Sequence, residues 1–391
     1  MARSRKSSST DARLVRNALN KQNALYYRSE KIRIENMSKR KKVLYISNVE
    51  VPYRVKFFNL LAMYCDLTVI YERVGSDNRD RMWSSSVKKD YKAVVLKGLR
   101  SGKENALSIE ILKYVTKDYD EIIVGCINSK IQVIATLVMK ILGIKYIVNL
   151  DGETFALGKS FKSIIKRCVL RGAKKYLVAG EKSAENLRKI VGSTSVYVYY
   201  FSSLYALETQ RKREITTEKN GVALVVGQYY SYKGLDVALE VAKRIPQRKF
   251  IFVGMGFRTD DFVSENNVAD NGNVRVIPFL QKDELEELYK KSDFLVLPSR
   301  KECWGLVINE AAAFGLPVVS TWGSGAAVEF LSDEYPQLLA QPGNEDSLYQ
   351  CIQWLECSNK SEIIGEYLNK KGTQYSIEKC VEVHKTALGI I

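Results

Sequence analysis

The sequence holds a single histidine, His384, only seven prolines and no Cys-x-x-Cys pair in 391 residues. One histidine, set in a C-terminal helical pattern with no Cys/His partners nearby, argues against a histidine-based metal site or a Ser-His-Asp triad and leaves it a structural role. The seven cysteines (Cys65, Cys126, Cys168, Cys303, Cys351, Cys357, Cys380) are scattered and odd in number, the pattern of reduced thiols in a cytosolic protein. Long apolar runs are also missing. None approaches the roughly 18–20 residues needed to span a bilayer, and the first 42 residues lack the apolar segment of a secretory signal. These absences point to a soluble, cytoplasmic chain.

Acidic residues are outnumbered, 44 against 60 Lys and Arg, for a formal charge of +16. The excess is uneven: residues 1–42 carry a net +10, which leaves +6 for the rest. The extension "MARSRKSSSTDARLVRNALNKQNALYYRSEKIRIENMSKRKK" is polar and weakly patterned, so residues 1–41 are expected to be disordered or partly helical. Met37 stands just before the first strand, which makes residues 1–36 a candidate upstream addition. The remaining length exceeds what one core supports, and two domains are expected.

From Lys42 onward, short apolar runs alternate with amphipathic stretches. "KVLYIS", "LTVIYE", "EIIVGCI" and "YIVNLDG" read as strands, and "RVKFFNLLAMY" and "IQVIATLVMKILG" as helices. Strands separated by helices of this length predict right-handed crossovers and a parallel sheet. The polar segment "TQRKREITTEKNG", residues 209–221, reads as a linker, after which the pattern restarts with "VALVVGQ", "KFIFVG", "VRVIPFL", "DFLVLPS" and "PVVST". The sequence therefore predicts two Rossmann-like α/β domains, 42–208 and 222–360, with a cleft at the carboxyl ends of their strands. A helical segment, 361–391, follows, with Ile377, Cys380, Val381 and Leu388 as apolar contacts to either domain.

The stretch "SRKECWGLVINEAAAFGLPVVS" places Glu302 in a loop at the end of a strand and Glu310 inside the helix that follows. Spacing alone says little, because 28 glutamates give about two such pairs by chance. The setting says more: the first N–H groups of that helix, at Trp304, Gly305, Leu306 and Val307, form an anion-binding end. Two carboxylates beside a diphosphate make sense if they accept hydrogen bonds from hydroxyls on either side of it, a ribose at one end and a sugar at the other. The alternative is a surface Glu302 and a Glu310 that favours a helix start. "VVGQYYSYKGLDVALE" brings Lys233 to the same cleft, where it would neutralise a leaving diphosphate or simply be a solvated residue.

The ordered set "VGQ…KGLDVALE", "VGMG", "VIPFLQKDELEELYKKSDFLVLPS", "ECWGLVINEAAAFGLPVVS" and "GAAVE" resembles the second domain of retaining glycosyltransferases of family 4, which have a GT-B fold. "SNVEVPYRVKFFNLLAMYCDLTVIYE", "DGETF" and "YYFSSL" resemble the first domain of a bacterial subgroup associated with capsule, exopolysaccharide and lipopolysaccharide assembly. The resemblance covers residues 42–390. It implies that Glu302 contacts the donor sugar, Glu310 the ribose, Lys233 the diphosphate, and the backbone around Leu280 and Gln281 the base of a UDP- or GDP-linked donor. It also implies a front-side, retaining transfer to a lipid-linked or oligosaccharide acceptor. Gln228 stands where most members have arginine, and Asp151-Gly152 where many have His-Gly. In that reading Asp151 binds donor or acceptor hydroxyls, with a catalytic role, and Arg54 meets a phosphate in place of backbone amides. A nucleotide-sugar hydrolase or epimerase-like enzyme is the alternative within the fold.

"DYD", residues 118–120, is similar to a metal-binding Asp-x-Asp but sits at a helix-to-strand turn, so a structural role and no obligatory metal or other cofactor are expected. The run "KSFKSIIKRCVLRGAKK", residues 159–175, carries seven basic and no acidic residues. On a helix, Phe161, Ile164, Ile165, Cys168 and Val169 share one face and Lys162, Lys166, Arg167 and Arg171 its flank. That is either a helix lying on anionic lipid at the inner face of a membrane or a core-packed helix with a solvated side. Basic charge also raises nucleic-acid binding, but no aromatic-basic or helix-turn-helix motif supports it and none is expected.

Overall fold

The computed structural model describes residues 40–73, 88–101, 105–125, 127, 129–152, 160–192, 195–211, 221–268 and 272–390. Most of the basic extension and the centre of the 209–221 segment thus lie outside the described residues. Arg40 and Lys41, at the edge of the extension, are tied down: Arg40 donates to the Ala62 and Cys65 carbonyls, and Lys41 to the Leu388 carbonyl at 2.8 Å.

The first domain is a seven-stranded sheet. In chain order its strands are β1 (Lys42–Val49), β2 (Asp66–Arg73), β3 (Lys92–Val95), β4 (Glu121–Val124), β5 (Ile147–Leu150), β6 (Lys175–Ala179) and β7 (Val196–Tyr199). They lie in the order β3-β2-β1-β4-β5-β6-β7, and every pairing is parallel. Val43, Leu44, Tyr45 and Ile46 of β1 are all buried. That is what a parallel strand covered on both faces requires, and it is why "KVLYIS" reads as a continuous apolar run. Helix α1 (Pro52–Ala62) starts with proline in its first turn, where the missing N–H costs nothing. α2 (Lys130–Ile141), α3 (Phe161–Arg171) and α4 (Glu181–Val191) complete the crossovers.

The second domain repeats the scheme with six strands: β8 (Val222–Val226), β9 (Lys249–Val253), β10 (Val274–Ile277), β11 (Phe294–Val296), β12 (Val318–Thr321) and β13 (Leu339–Ala340). Their order is β10-β9-β8-β11-β12-β13. Between them run α5 (Leu235–Lys243), α6 (Thr259–Glu265), α7 (Lys282–Lys291), α8 (Leu306–Ala313) and α9 (Gly325–Leu331), and α10 (Glu345–Cys357) follows β13. In each sheet the first strand has neighbours reached by crossovers in opposite directions, so the loops at its carboxyl end frame a crevice.

The C-terminal segment is two helices with different attachments. α11 (Ser361–Gly372) packs on α8, so closely that a Cβ on Gly365 would stand 2.2 Å from the Gly315 carbonyl oxygen. α12 (Ile377–Leu388) crosses to the first domain and packs on α1 and β7. Ile377, Cys380, Val381 and Leu388 are buried there, as their spacing predicted.

Candidate active site

The loops of the second domain are built around Lys233 and Glu302. Gly234 has φ +67°, and a Cβ there would lie 2.1 Å from the Pro298 carbonyl oxygen. Only glycine lets the turn Ser231–Lys233 press onto the end of β11. The Tyr232 carbonyl then accepts the amides of Arg300 and Lys301 at 2.8 and 3.1 Å. From the other side, the Glu302 amide donates to Gly323 at 2.8 Å, and the Glu302 carbonyl accepts the Gly325 amide at 3.2 Å. Two side chains fixed from separate loops meet: the Lys233 ammonium is ion-paired with the Glu302 carboxylate, with 19% and 17% of the side chains exposed. The sequence expectation puts Lys233 on a diphosphate and Glu302 on a sugar; the fold brings the two side chains together.

Helix α8 begins beside this pair, with Gly305 before its first turn and Leu306 and Val307 half-buried. Trp304 is different. Its indole is buried, donates to Asn309 Oδ1 at 2.9 Å, and packs against Phe201 and Tyr375 at 6.2 and 6.0 Å between ring centroids. The ring is an anchor of the domain seam, so only the Trp304 backbone is left for a ligand. Glu310 is half-buried one turn into α8 and accepts from the Tyr289 hydroxyl at 2.9 Å and from Ser203 at 3.3 Å. Burial pushes its carboxyl above the usual carboxylate range, against the pull of Tyr289, Lys282 and Ser203.

The expected base-binding backbone is half committed. The Gln281 amide donates to Glu284 at 2.8 Å and its carbonyl accepts from Leu285 at 3.0 Å, closing the cap of α7. Leu280, half-buried beside it, remains the nearer candidate. Gln228 is half-buried in the loop after β8. Arg258, which the sequence reading passed over, reaches that loop by donating to the Tyr229 carbonyl at 2.6 Å, with its guanidinium 5.0 Å from the rings of Tyr229 and Tyr230. The signal was available in "VGMGFR", at the carboxyl end of β9.

From the first domain, the end of β5 delivers Asp151. Its Oδ1 accepts from Asn149 Nδ2 at 2.9 Å and from the Tyr199 hydroxyl at 2.5 Å, and its Oδ2 is ion-paired with Arg54. Arg54 is 6% exposed and lies over Phe201 at 5.1 Å. The sequence expectation gives the two residues separate partners; here burial makes a lone guanidinium costly, and Asp151 neutralises Arg54. His384 stands behind them with no exposed surface; its Nε2 is 3.1 Å from Asn149 Oδ1 and its Nδ1 2.7 Å from the Cys380 carbonyl oxygen. A cysteine partner does lie near, since Cys380 Sγ is 3.8 Å from Nδ1. Burial holds the imidazole down at about 4.

The two half-sites touch. A Cβ on Gly152, whose φ is +88°, would fall 2.3 Å from the Cys303 carbonyl oxygen. Asn309 Nδ2 donates to the Phe201 carbonyl at 3.1 Å, and the Lys182 amide to Glu329 at 3.2 Å. Asp151 therefore sits against the loop that carries Glu302, in a closed cleft.

Away from the cleft, Asp120 of "DYD" accepts the Lys42 amide at 2.8 Å and Asp118 accepts from Thr116 at 3.0 Å, both structural uses. Among the described residues no three His, Cys, Asp or Glu side chains gather as a metal site, and no helix is long and apolar enough to cross a membrane. The expected apolar face of helix α3 is divided between core and solvent. Val169 and Leu170 are buried, whereas Ile164 is 55% exposed on the side that carries Arg171. The outward stripe continues on α2, which meets α3 where Lys140 donates to the Cys168 carbonyl at 3.1 Å, and exposes Ile134, Leu137 and Ile141.

An uncharacterized glycosyltransferase of Methanocaldococcus jannaschii is 32% identical over 164 residues, 40% of this chain and 45% of that protein. The lipopolysaccharide glucosyltransferase WaaG of Escherichia coli is 27% identical over 161 residues, 38% of this chain and 42% of that protein. The chain thus spans about half the length of the curated relatives it matches. The crystal structure of Anabaena HepE in complex with UDP-glucose superimposes with a TM-score of 0.66 at 16% identity, over 88% of this chain and 99% of that one. At that identity the likeness is one of fold, and the fold is GT-B. Residues 207–371, the crossover, the second domain and nearly all of α11, match the family of glycosyl transferases group 1.

Proposed function

We propose that the protein is a retaining glycosyltransferase of the family 4 type. It moves a sugar from a nucleotide-sugar, UDP- or GDP-linked, to a hydroxyl of a lipid-linked or oligosaccharide acceptor in bacterial surface polysaccharide synthesis. The observation that carries this reading is the Lys233–Glu302 pair beside the start of α8, on a loop that packs at Cys303 against Gly152, the neighbour of Asp151. The curated relative named for lipopolysaccharide glucosyl transfer and the neighbour solved with UDP-glucose agree with it.

In this reading the donor diphosphate takes the Lys233 ammonium and the first amides of α8. Glu302 turns to the sugar hydroxyls, and Glu310 exchanges its Tyr289 and Ser203 partners for ribose hydroxyls. The base rests on the Leu280 backbone, and Gln228 donates to a phosphate oxygen where a cation is usual. The bond from the anomeric carbon to the diphosphate breaks while the acceptor oxygen bonds on the same face, and the acceptor proton passes to the departing diphosphate oxygen. Asp151, ion-paired with Arg54, orients hydroxyls at the reacting centre. The protein contributes positioning, fixed charge and exclusion of water, and the reading needs no metal. The acceptor side lies toward an anionic membrane surface, met by the Ile164 and Arg171 face of the 159–175 segment together with the α2 stripe.

The test is product analysis. Purified protein given a panel of nucleotide-sugars with and without polyprenyl-linked acceptors is expected to yield glycosylated acceptor with the anomeric configuration kept. Lys233→Ala should lower kcat by about 100-fold, the usual loss when one preorganised charge is removed. Free sugar released at an equal rate without acceptor would instead establish the hydrolase, and an inverted product would overturn retention.

A further inference from the structure

Glu72 is a buried carboxylate with no part in the Lys233–Glu302 or Arg54–Asp151 pairs. It stands next to last in β2 and is 9% exposed. Ile70, two positions earlier, packs with Ile131 and Ala135 of α2, and the period of two in a strand puts Glu72 on the same face, at the carboxyl end. Two neutral donors hold it there. The Ser129 hydroxyl, which accepts the Gln132 amide at 3.4 Å as the cap of α2, donates its own proton to Glu72 Oε1 at 2.5 Å. Gln132, fully buried, donates from Nε2 to the same oxygen at 2.8 Å. Among the described residues Oε2 takes no hydrogen bond. Burial pushes the carboxyl above the usual carboxylate range, against the pull of Ser129, Gln132 and Arg73.

The place of this network in the sheet points to a ligand. Glu72 ends β2, and Ser129 and Gln132 open the helix that follows β4, so the three side chains bridge the end of β1, which lies between those strands. The crossovers diverge there, and in open α/β sheets that crevice receives ligands. A structural tie between β2 and α2 needs only Oε1, and it leaves the charge and Oε2 without a use. A ligand hydroxyl on Oε2 supplies a third donor to a carboxylate whose burial is only partly offset. Asp151 follows β5, three strands along in the order β2-β1-β4-β5, which at roughly 4.8 Å per strand is about 14 Å away. One sugar ring does not reach from one carboxylate to the other, whereas an oligosaccharide does. From this placement we infer that Glu72 is a binding residue of a remote saccharide subsite in the first domain, where Oε2 accepts from a hydroxyl of an acceptor sugar at least one unit removed from the one that reacts.

That the saccharide is an acceptor rests on the glycosyltransferase reading, whereas its binding at Glu72 is measured without turnover. The full chain is applied, without donor, to an array of immobilised oligosaccharides, beside Glu72→Gln. This variant keeps an oxygen for Ser129 and Gln132, turns Oε2 into NH2 and removes the charge, so its melting temperature should hold. The wild type is expected to retain at least one class of oligosaccharide, and Glu72→Gln to bind it about 10- to 100-fold more weakly, the worth of a hydrogen bond to a charged group. Hydrogen exchange on the wild type gives a check that needs no variant: the retained oligosaccharide should protect the amides around Glu72 and the first turn of α2. A wild type that retains no oligosaccharide, equal retention by Glu72→Gln, or protection confined to other segments would overturn the inference. The thermal shift given by UDP-glucose, or by the donor found active in the panel, should be the same in Glu72→Gln as in the wild type. No shift with any donor would count against the glycosyltransferase reading, while the array and the exchange pattern would still decide the subsite.

Discussion

At the scale of single residues, Glu310 shows how this cleft stores a cost for later use. Its carboxyl is buried against Tyr289 and Ser203, and burial raises its pKa above that of an unfolded glutamate. A raised carboxyl favours folding below the unfolded value and loses that contribution as pH rises through the folded one. Replacing it should therefore relieve the fold near neutral pH while removing a charged acceptor from the ligand. Glu310→Gln is expected to keep or raise the melting temperature at pH 7–8 and to weaken nucleotide-sugar binding by about 10- to 100-fold, the worth of a hydrogen bond to a charged group. Calorimetric titration and thermal melts of the same preparation check both halves. The reading from sequence singled out Glu302 and Lys233 because each sits where a strand pattern ends and a helix pattern starts, and Glu310 because it lies in the helix that follows. It missed the pairing of Arg54 with Asp151, which are 97 positions apart, and the contact of His384 with Asn149, 235 positions apart, because neither contact has any local signature.

At the scale of elements, the strand-and-helix alternation was legible because parallel strands buried on both faces read as apolar runs. The edges were not: Lys92–Val95 is largely exposed and so has no continuous apolar run, and Leu339–Ala340 has two residues, too few to show a period. Helix α3 exposes a different limit. Its pattern offers two apolar arcs, and only the sheet beneath decides that Val169 and Leu170 go inward while Ile164 goes out. The turn before α5 is the element on which the candidate site depends most. Gly234→Ala must distort the contact with Pro298 and adopt a backbone conformation that costs an L-residue about 1–3 kcal/mol. The expected outcome is an unfolding free energy in urea lowered by that amount, together with loss of nucleotide-sugar binding as Lys233 leaves Glu302. A variant that unfolds earlier yet binds normally would separate the turn from the site.

At the scale of the whole molecule, two Rossmann-like halves close on each other through Gly152 against Cys303, Trp304 against Phe201, and α12 against α1. The outer side of the first domain carries exposed Ile134, Leu137, Ile141 and Ile164 with exposed Lys130, Lys140 and Arg171 around them. Such a face suits anionic lipid, where each basic group near the surface adds about 1 kcal/mol. Flotation with phosphatidylglycerol vesicles, but not with phosphatidylcholine alone, is expected, and Ile141→Asp with Ile164→Asp should abolish it without changing the melt. Equal retention on nucleic acid, lost when residues 1–41 are removed, would instead assign the basic charge to a different partner. The central claim is that the second domain's loops hold a nucleotide-sugar, and a thermal-shift screen across UDP- and GDP-sugars tests it most directly. A donor at 100 times its dissociation constant stabilises the folded state by about 2.7 kcal/mol. At least one donor should raise the melting temperature of the wild type, and the shift should vanish in Glu310→Ala and in Lys233→Ala. A screen with no shift, or a shift of equal size in both variants, would contradict the account.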